Sequence, residues 1–166
     1  MAPLRQHDMR LRSATTDEVR EVWEERWYGL VVCLNTVYEP GDVEGLALVD
    51  HLDELVGLVT YHIDGDQCEL VTIDSLCQFM GIGSMLLEKV EEVALKAGCR
   101  KIWAITTNDN LDAHRFFQKR GFTIRNVRLG GMTKIRLLKP NVPKIGYYEI
   151  PIRDEIEFEK PLDLSY

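Results

Sequence analysis

The 166-residue chain has no C-x-x-C pair among its four cysteines, Cys33, Cys68, Cys77 and Cys99, and no histidine at zinc-finger spacing. A structural zinc site is therefore not expected, and no metal ligand is nominated. No apolar run approaches the roughly 18 residues that a membrane span needs, and Met1–Arg12 lacks the apolar core of a signal peptide. Four reduced thiols in a cytoplasmic protein are the expected state. No cluster of Lys or Arg exceeds two in a row. With 20 basic against 27 acidic residues, net −7, and a pI of about 5.1, nucleic-acid binding is excluded as an expectation. The acidic balance keeps the chain soluble, and its field favours a cationic partner such as an amine. Internal repeats and low-complexity linkers are also missing.

What remains is ordinary globular material, 45% apolar and 28% charged, long enough for one domain with its own core. A single domain over 9–166 is expected, after a loose lead over 1–8. Met9–Ser13 alternates and predicts a short strand. Thr15 and Glu18 form a capping box for a helix to about Trp27, with Val19, Val22, Trp23 and Trp27 on one stripe. Residues 28–38 are apolar and read as a second short helix. Gly45–Val49, Leu55–Ile63 and Cys68–Asp74 are strand-like runs separated by short polar turns, so they predict an antiparallel meander.

The character changes at Gly81. Leu86, Val90, Val93 and Ala97, widened by Leu87 and Ala94, predict a helix over 84–97, closed by Gly98 at the C′ position. Lys101–Thr106 reads as a strand, Asn110–Arg120 as a helix closed by Gly121, and Phe122–Val127 as a strand. This strand–helix–strand unit implies a parallel pairing, so an α/β fold is expected, with a mixed sheet and helices on its faces. Further on, Met132–Leu138 predicts a helical turn. Pro140, Pro143, Gly146 and Pro151 predict an extended loop, and Ile156–Glu159 an added edge strand.

Chemistry concentrates between Val71 and Ser84, where a strand runs into a glycine-containing loop that opens a long helix. The first N–H groups of such a helix lack internal partners, and the dipole adds partial positive charge, so the junction suits phosphate. Gly81 and Gly83 would let a pyrophosphate approach the backbone. A dinucleotide fingerprint needs a third glycine where Ser84-Met85-Leu86 stand, and a P-loop needs the missing Gly-Lys-Ser/Thr.

Gln78-Phe79-Met80-Gly81-Ile82-Gly83 resembles the cofactor motif Q/R-x-x-G-x-G/A of the GNAT superfamily of N-acetyltransferases, with Val71-Thr72-Ile73 in the place of the family's L-x-V. Downstream, Asn110-Leu111-Asp112-Ala113, Phe117 and Gly121-Phe122 are similar to its N-x-x-A-x-x-x-Y…G-F block. The resemblance covers residues 68–124, and the tail Ile150–Glu157 looks like that of a bacterial subgroup. It implies a mostly antiparallel central sheet with one parallel pair at the cofactor site. It also implies acetyl-CoA as cosubstrate and an amine-bearing acceptor attacking directly, with no nucleic acid or membrane partner and a homodimer left open. Val71, Thr72 and Ile73 would pair with the pantetheine arm, an N–H near Ile73 would polarise the thioester carbonyl, and Gln78, Phe79, Met80, Gly81, Ile82, Gly83 and Ser84 would cradle the pyrophosphate. Asn110, Ala113 and Phe117 would lie towards the thiol end. Phe117 stands where many members carry a tyrosine that protonates the departing thiolate, and a phenyl ring cannot do that. A fold that binds acyl-CoA as a sensor, with little turnover, is the competing expectation.

Glu69 is the candidate general base, placed by period two on the face of Val71 and Ile73; an exposed sheet carboxylate is its plainer reading. Gln67 occupies the family's commoner base position, and His62 is a second candidate. Trp23, Trp27 and Tyr28 are expected to pack in the core by their spacing, rather than line an acceptor site. Cys77 lacks a neighbouring cation and is not expected to be a nucleophile. Arg153-Asp154-Glu155 is expected as a solvated turn.

Overall fold

A computed structural model describes residues 8–77 and 81–163. The lead expected over 1–8, apart from Asp8, and Gln78, Phe79 and Met80 of the glycine loop lie outside these residues. In chain order the elements are β1 (Arg10–Ser13), α1 (Thr16–Arg26), β2 (Val31–Cys33), β3 (Thr36–Tyr38), β4 (Glu44–Val49), β5 (Leu55–Asp64), β6 (Gln67–Ser75), α2 (Ile82–Lys96), β7 (Lys101–Thr107), α3 (Leu111–Lys119), β8 (Thr123–Arg128), α4 (Met132–Leu138) and β9 (Glu155–Pro161).

Local sequence accounts for most of these boundaries. Thr15 Oγ1 accepts from Glu18 N–H, and the Glu18 side chain accepts from Thr15 N–H, so the capping box starts α1. Asn110 caps α3 through Ala113 N–H. Gly98 and Gly121 have φ of +84° and +91°, as chain reversal after a helix requires.

Residues 28–38 do not form the expected helix. Val31–Cys33 and Thr36–Tyr38 pair as a hairpin, β2 with β3. Their β-branched and aromatic residues suit a strand, and Leu34 turns the chain with φ +58°.

The main sheet runs β1-β4-β5-β6-β7-β9-β8. β1, β4, β5 and β6 form the antiparallel meander, and β6 pairs parallel with β7. β9 is not an edge strand. It lies between β7 and β8, antiparallel to both, so β7 and β8 do not pair directly and β8 takes the edge. Phe158 on β9 is fully buried and draws the strand into the core.

The two faces carry separate cores. On one, Ile82, Leu86, Val90 and Ala94 of α2 pack with Cys68, Leu70, Phe117 and Phe158. On the other, Val19, Val22 and Trp23 of α1 and Val31, Cys33 and Tyr38 of the hairpin cover Leu58 and Val71. α2 lies so close to β5 that a Cβ at Gly57 would stand 2.6 Å from Ile82 Cγ2 and 3.1 Å from Leu86 Cδ1. Gly57→Ala is therefore expected to destabilise by about 1–3 kcal/mol, the range for overpacking. Urea unfolding should show a lower midpoint with unchanged slope; an unmoved midpoint would mean that α2 can shift freely.

Candidate active site

β6 and β7 pair only from Gln67↔Lys101 to Leu70↔Ala104. Beyond that point β6 stays on β5, through Thr60↔Thr72 to Gly57↔Ser75, whereas β7 continues along β9 to Thr107↔Glu155. The two strands splay, and the edge of Val71–Ser75 that faces β7 has no strand neighbour there. A cleft of about 780 Å³ opens from this gap, lined by Val71, Thr72, Ile73 and Ser75 on one side and Ile105, Thr106 and Thr107 on the other.

The splay begins at a β-bulge. Thr60 pairs with Thr72 but Tyr61 with Leu70, leaving Val71 unmatched. Val71 packs against α1, and Thr72 Oγ1 accepts from Trp23 Nε1 at 3.2 Å, so both point to the α1 face. Ile73 then packs on the α2 side. Glu69 shares a face with Val71 but not with Ile73, because the bulge interrupts period two.

At the mouth of the cleft α2 begins. Gly81 has φ +100°, which excludes an ordinary side chain. Among the described residues, the first N–H bonded back along the helix is that of Met85, to Gly81 O at 2.9 Å. The N–H groups of Ile82, Gly83 and Ser84 precede it at the cleft wall. Gly83 also allows α3 to approach: a Cβ there would lie 2.9 Å from Phe116 Cε2. Arg120 stacks on the Phe116 ring at 3.8 Å and donates to Ser84 Oγ, bringing a cation beside the helix start.

The other nominated residues divide. Ser84, Asn110 and Ala113 line the cleft, with Asn110 Oδ1 committed to its cap at 3.2 Å. Ile82 turns its side chain into the core and offers only backbone. Phe117 reaches the cleft but is 4% exposed, among the rings of Phe116, Phe122 and Phe158. Glu69 is no exposed carboxylate. It is buried behind the hairpin, away from the cleft lining, where the Tyr38 hydroxyl donates to Oε2 at 2.5 Å and Oε1 has no partner among the described residues. Burial raises its pKa, against the bonds from Tyr38 and Cys33. His62 stands opposite it in register, its ring 5.6 Å from that of Tyr38, and Gln67 is exposed. Cys77 is half-buried against the α2 core. Trp23 is core, as its spacing implies, but Trp27 and Tyr28 follow the end of α1 and become cleft wall.

Three cleft residues escape sequence reasoning. Asp74 is buried, and Trp27 Nε1 donates to both carboxylate oxygens, at 2.9 and 3.1 Å. Burial raises its pKa to about 6, outweighing the Trp27 bond. An acid directly after Leu70–Ile73, still within the strand, is the one signal that marks it. Glu155, expected in a solvated turn, starts β9 and is 4% exposed; burial raises its pKa too. Lys139, at the end of α4, is 7% exposed and has its pKa lowered by burial to about 8. Neither residue carries a local sequence cue. Among the described residues no group of His, Cys, Asp and Glu could hold a metal ion, and no helix is long and apolar enough to cross a membrane.

Residues 8–122 match the model of the Acetyltransferase (GNAT) family. The chain is 42% identical over 127 residues to YdhI of Bacillus subtilis strain 168, described as uncharacterised, covering 76% of this chain and 79% of that one. Its fold is similar to that of IAA acetyltransferase from Bacillus cereus ATCC 14579, with a TM-score of 0.72 at 18% identity over 93% of this chain and 99% of the other. It is also similar to a GNAT family acetyltransferase from Elizabethkingia anophelis with acetyl-CoA bound, with a TM-score of 0.68 at 20% identity over 95% and 100%. On the strength of a match that spans more than half its length, joined to the splayed parallel pair and the glycine-opened helix, the chain belongs to the GNAT acetyltransferase family.

Proposed function

We propose that the protein transfers an acetyl group from acetyl-CoA to a primary amine by direct attack. The observation that carries this reading is the splay of β6 from β7 into a cleft with the start of α2 at its mouth. The first N–H groups of α2, with Arg120 beside them, suit a pyrophosphate. The unpaired edge of Val71–Ile73 suits the amide-bearing pantetheine arm, which hydrogen-bonds like a strand. A backbone N–H near Ile73 would take the negative charge that develops on the thioester oxygen. Binding both substrates in one cleft would supply much of the rate.

Asp74 fits the proton acceptor better than Glu69, because it lines the cleft next to Ile73 and Glu69 does not. As the amine nitrogen bonds to the acetyl carbon, the carbon–sulfur bond breaks. The nitrogen's proton passes to Asp74, and the thiolate leaves towards Phe117, which offers no proton. That last feature also favours the second reading, an acyl-CoA sensor with little turnover. Mixing protein, acetyl-CoA and a panel of amines and following free thiol decides between them: release supports transfer, and binding without release supports sensing.

Phe117→Tyr is expected to raise kcat severalfold with acetyl-CoA affinity unchanged, the mark of a contact made in the transition state. The ring reaches the cleft, so a hydroxyl has somewhere to point. A Tm that falls instead, with kcat unmoved, would place the oxygen among Phe122 and Phe158 and make residue 117 a packing position only.

A further inference from the structure

We propose that the acceptor is a zwitterionic amine, an amino acid with a compact apolar side chain, and that Lys139 binds its carboxylate. This rests on the acyl-transfer reading and names its substrate class.

Lys139 follows the last turn of α4, and its side chain folds inward to line the cleft. Its ammonium has three donors. Among the described residues it meets one acceptor, the Trp27 carbonyl at 2.6 Å, and no carboxylate within 4 Å. The Tyr28 ring lies 5.5 Å from Nζ. A buried ammonium held by one neutral carbonyl is costly, and an apolar side chain would close the same space without that cost. The depressed pKa of Lys139 records the same shortage of compensating charge.

The opposite charge lines the same cleft. Glu155 is buried and also lines the wall; the Leu34 N–H donates to it and the charge of Arg128 acts on it, but no Lys, Arg or His nitrogen lies within 4 Å among the described residues. Gly131 lets the carboxylate lie close against the backbone: a Cβ there would sit 2.7 Å from Glu155 Oε1. Cys33 lines the cleft together with both, and both charges act on its thiol. Met132, Ile135 and Ile152 form an apolar cluster there, with Val32 against it. A ligand that satisfies these groups needs an ammonium for Glu155 and Asp74, a carboxylate for Lys139, and a small apolar body between them. A plain alkylamine leaves Lys139 uncompensated, and a dicarboxylate sets surplus negative charge against Glu155.

The test uses matched pairs that differ only in the carboxylate: leucine with 3-methylbutylamine, and phenylalanine with 2-phenylethylamine. Binding to the CoA-loaded protein is measured by calorimetry, and turnover by thiol release from acetyl-CoA. The carboxylate member should bind at least tenfold more tightly. Lys139→Met should bring the two members within about twofold with acetyl-CoA affinity unchanged, and Lys139→Arg should restore part of the preference. Equal binding within each pair, binding of neither member, or a preference that survives Lys139→Met overturns the proposal and leaves acyl transfer standing. Absence of thiol release with every amine overturns acyl transfer instead, and the binding arm still decides whether Lys139 reads a carboxylate.

Discussion

Gly83→Asp is expected to abolish the thermal stabilisation that acetyl-CoA confers. A ligand present at 100 times its Kd stabilises by about 2.7 kcal/mol, which for a chain of this size raises Tm by roughly 5–10 °C. Aspartate at 83 brings two obstacles. Its Cβ would stand 2.9 Å from Phe116 Cε2 and 3.2 Å from Cζ, and Phe116 is held by Arg120 stacked on it. Its carboxylate would occupy the N-terminal turn of α2 where a phosphate would sit. The first obstacle lowers the Tm of the free protein, so the readout is the shift relative to each variant's own ligand-free value. Ser84→Asp separates the two effects. It adds the charge without glycine strain, and Arg120, which donates to the Ser84 hydroxyl, can pair with it. That variant should keep its fold and lose at least a hundredfold in acetyl-CoA affinity. An undiminished shift in both variants would place the cosubstrate elsewhere.

Asp74→Asn is expected to lower kcat by roughly 10² or more while raising stability at neutral pH. In the native protein kcat/KM should rise with pH and level off above about 6, the value to which burial raises the Asp74 pKa. The variant should lose that limb. The folded pKa exceeds the ordinary 3.8, so the folded state holds the proton more tightly than the unfolded chain does. The resulting stability is fully present below about pH 4 and is lost as pH rises through about 6. Asparagine keeps an oxygen for the Trp27 indole and needs no ionisation. It should therefore gain roughly 1–3 kcal/mol at pH 7–8 and nothing at pH 4. Glu69→Gln is the comparison: away from the cleft lining, it should change kcat less than threefold. A large loss in Glu69→Gln with Asp74→Asn near native would return the proton acceptor to Glu69.

The meander, α2, α3 and both glycine stops are legible because periodicity, capping residues and short polar turns are local signals. Residues 28–38 mislead for the same reason. Val31–Cys33 and Thr36–Tyr38 are too short for period to separate strand from helix, and Leu34, which makes the turn, is not a residue that announces one. The partner of β9 is not written locally either, since Glu155 to Pro161 alternates much as an edge strand would. Only the burial of Phe158 between β7 and β8 distinguishes it. The Val71 bulge carries no glycine or proline to mark it, so period two placed Glu69 and Ile73 together. In the cleft, the glycine that opens α2 is legible from adjacent residues. The charged residues of the cleft wall are not, because Asp74, Lys139 and Glu155 come from distant parts of the chain and line one cleft only once the sheet and α4 are in place.

The late insertion of β9 also governs how the molecule can be made. While residues up to 154 are being synthesised, β7 has a partner only on its β6 side and β8 has no strand beside it. The nascent chain therefore carries an open edge at Ile102 and Ala104, both of which end fully or nearly buried, and such edges invite pairing with other chains. Helix α2 and the meander can assemble early from contacts close in sequence, whereas the half of the sheet bearing β7 must wait for a strand more than 47 residues further on. Translation thus delivers the cosubstrate wall first and the strand that carries Glu155 last, and the cleft acquires its second charged side only when the sheet closes.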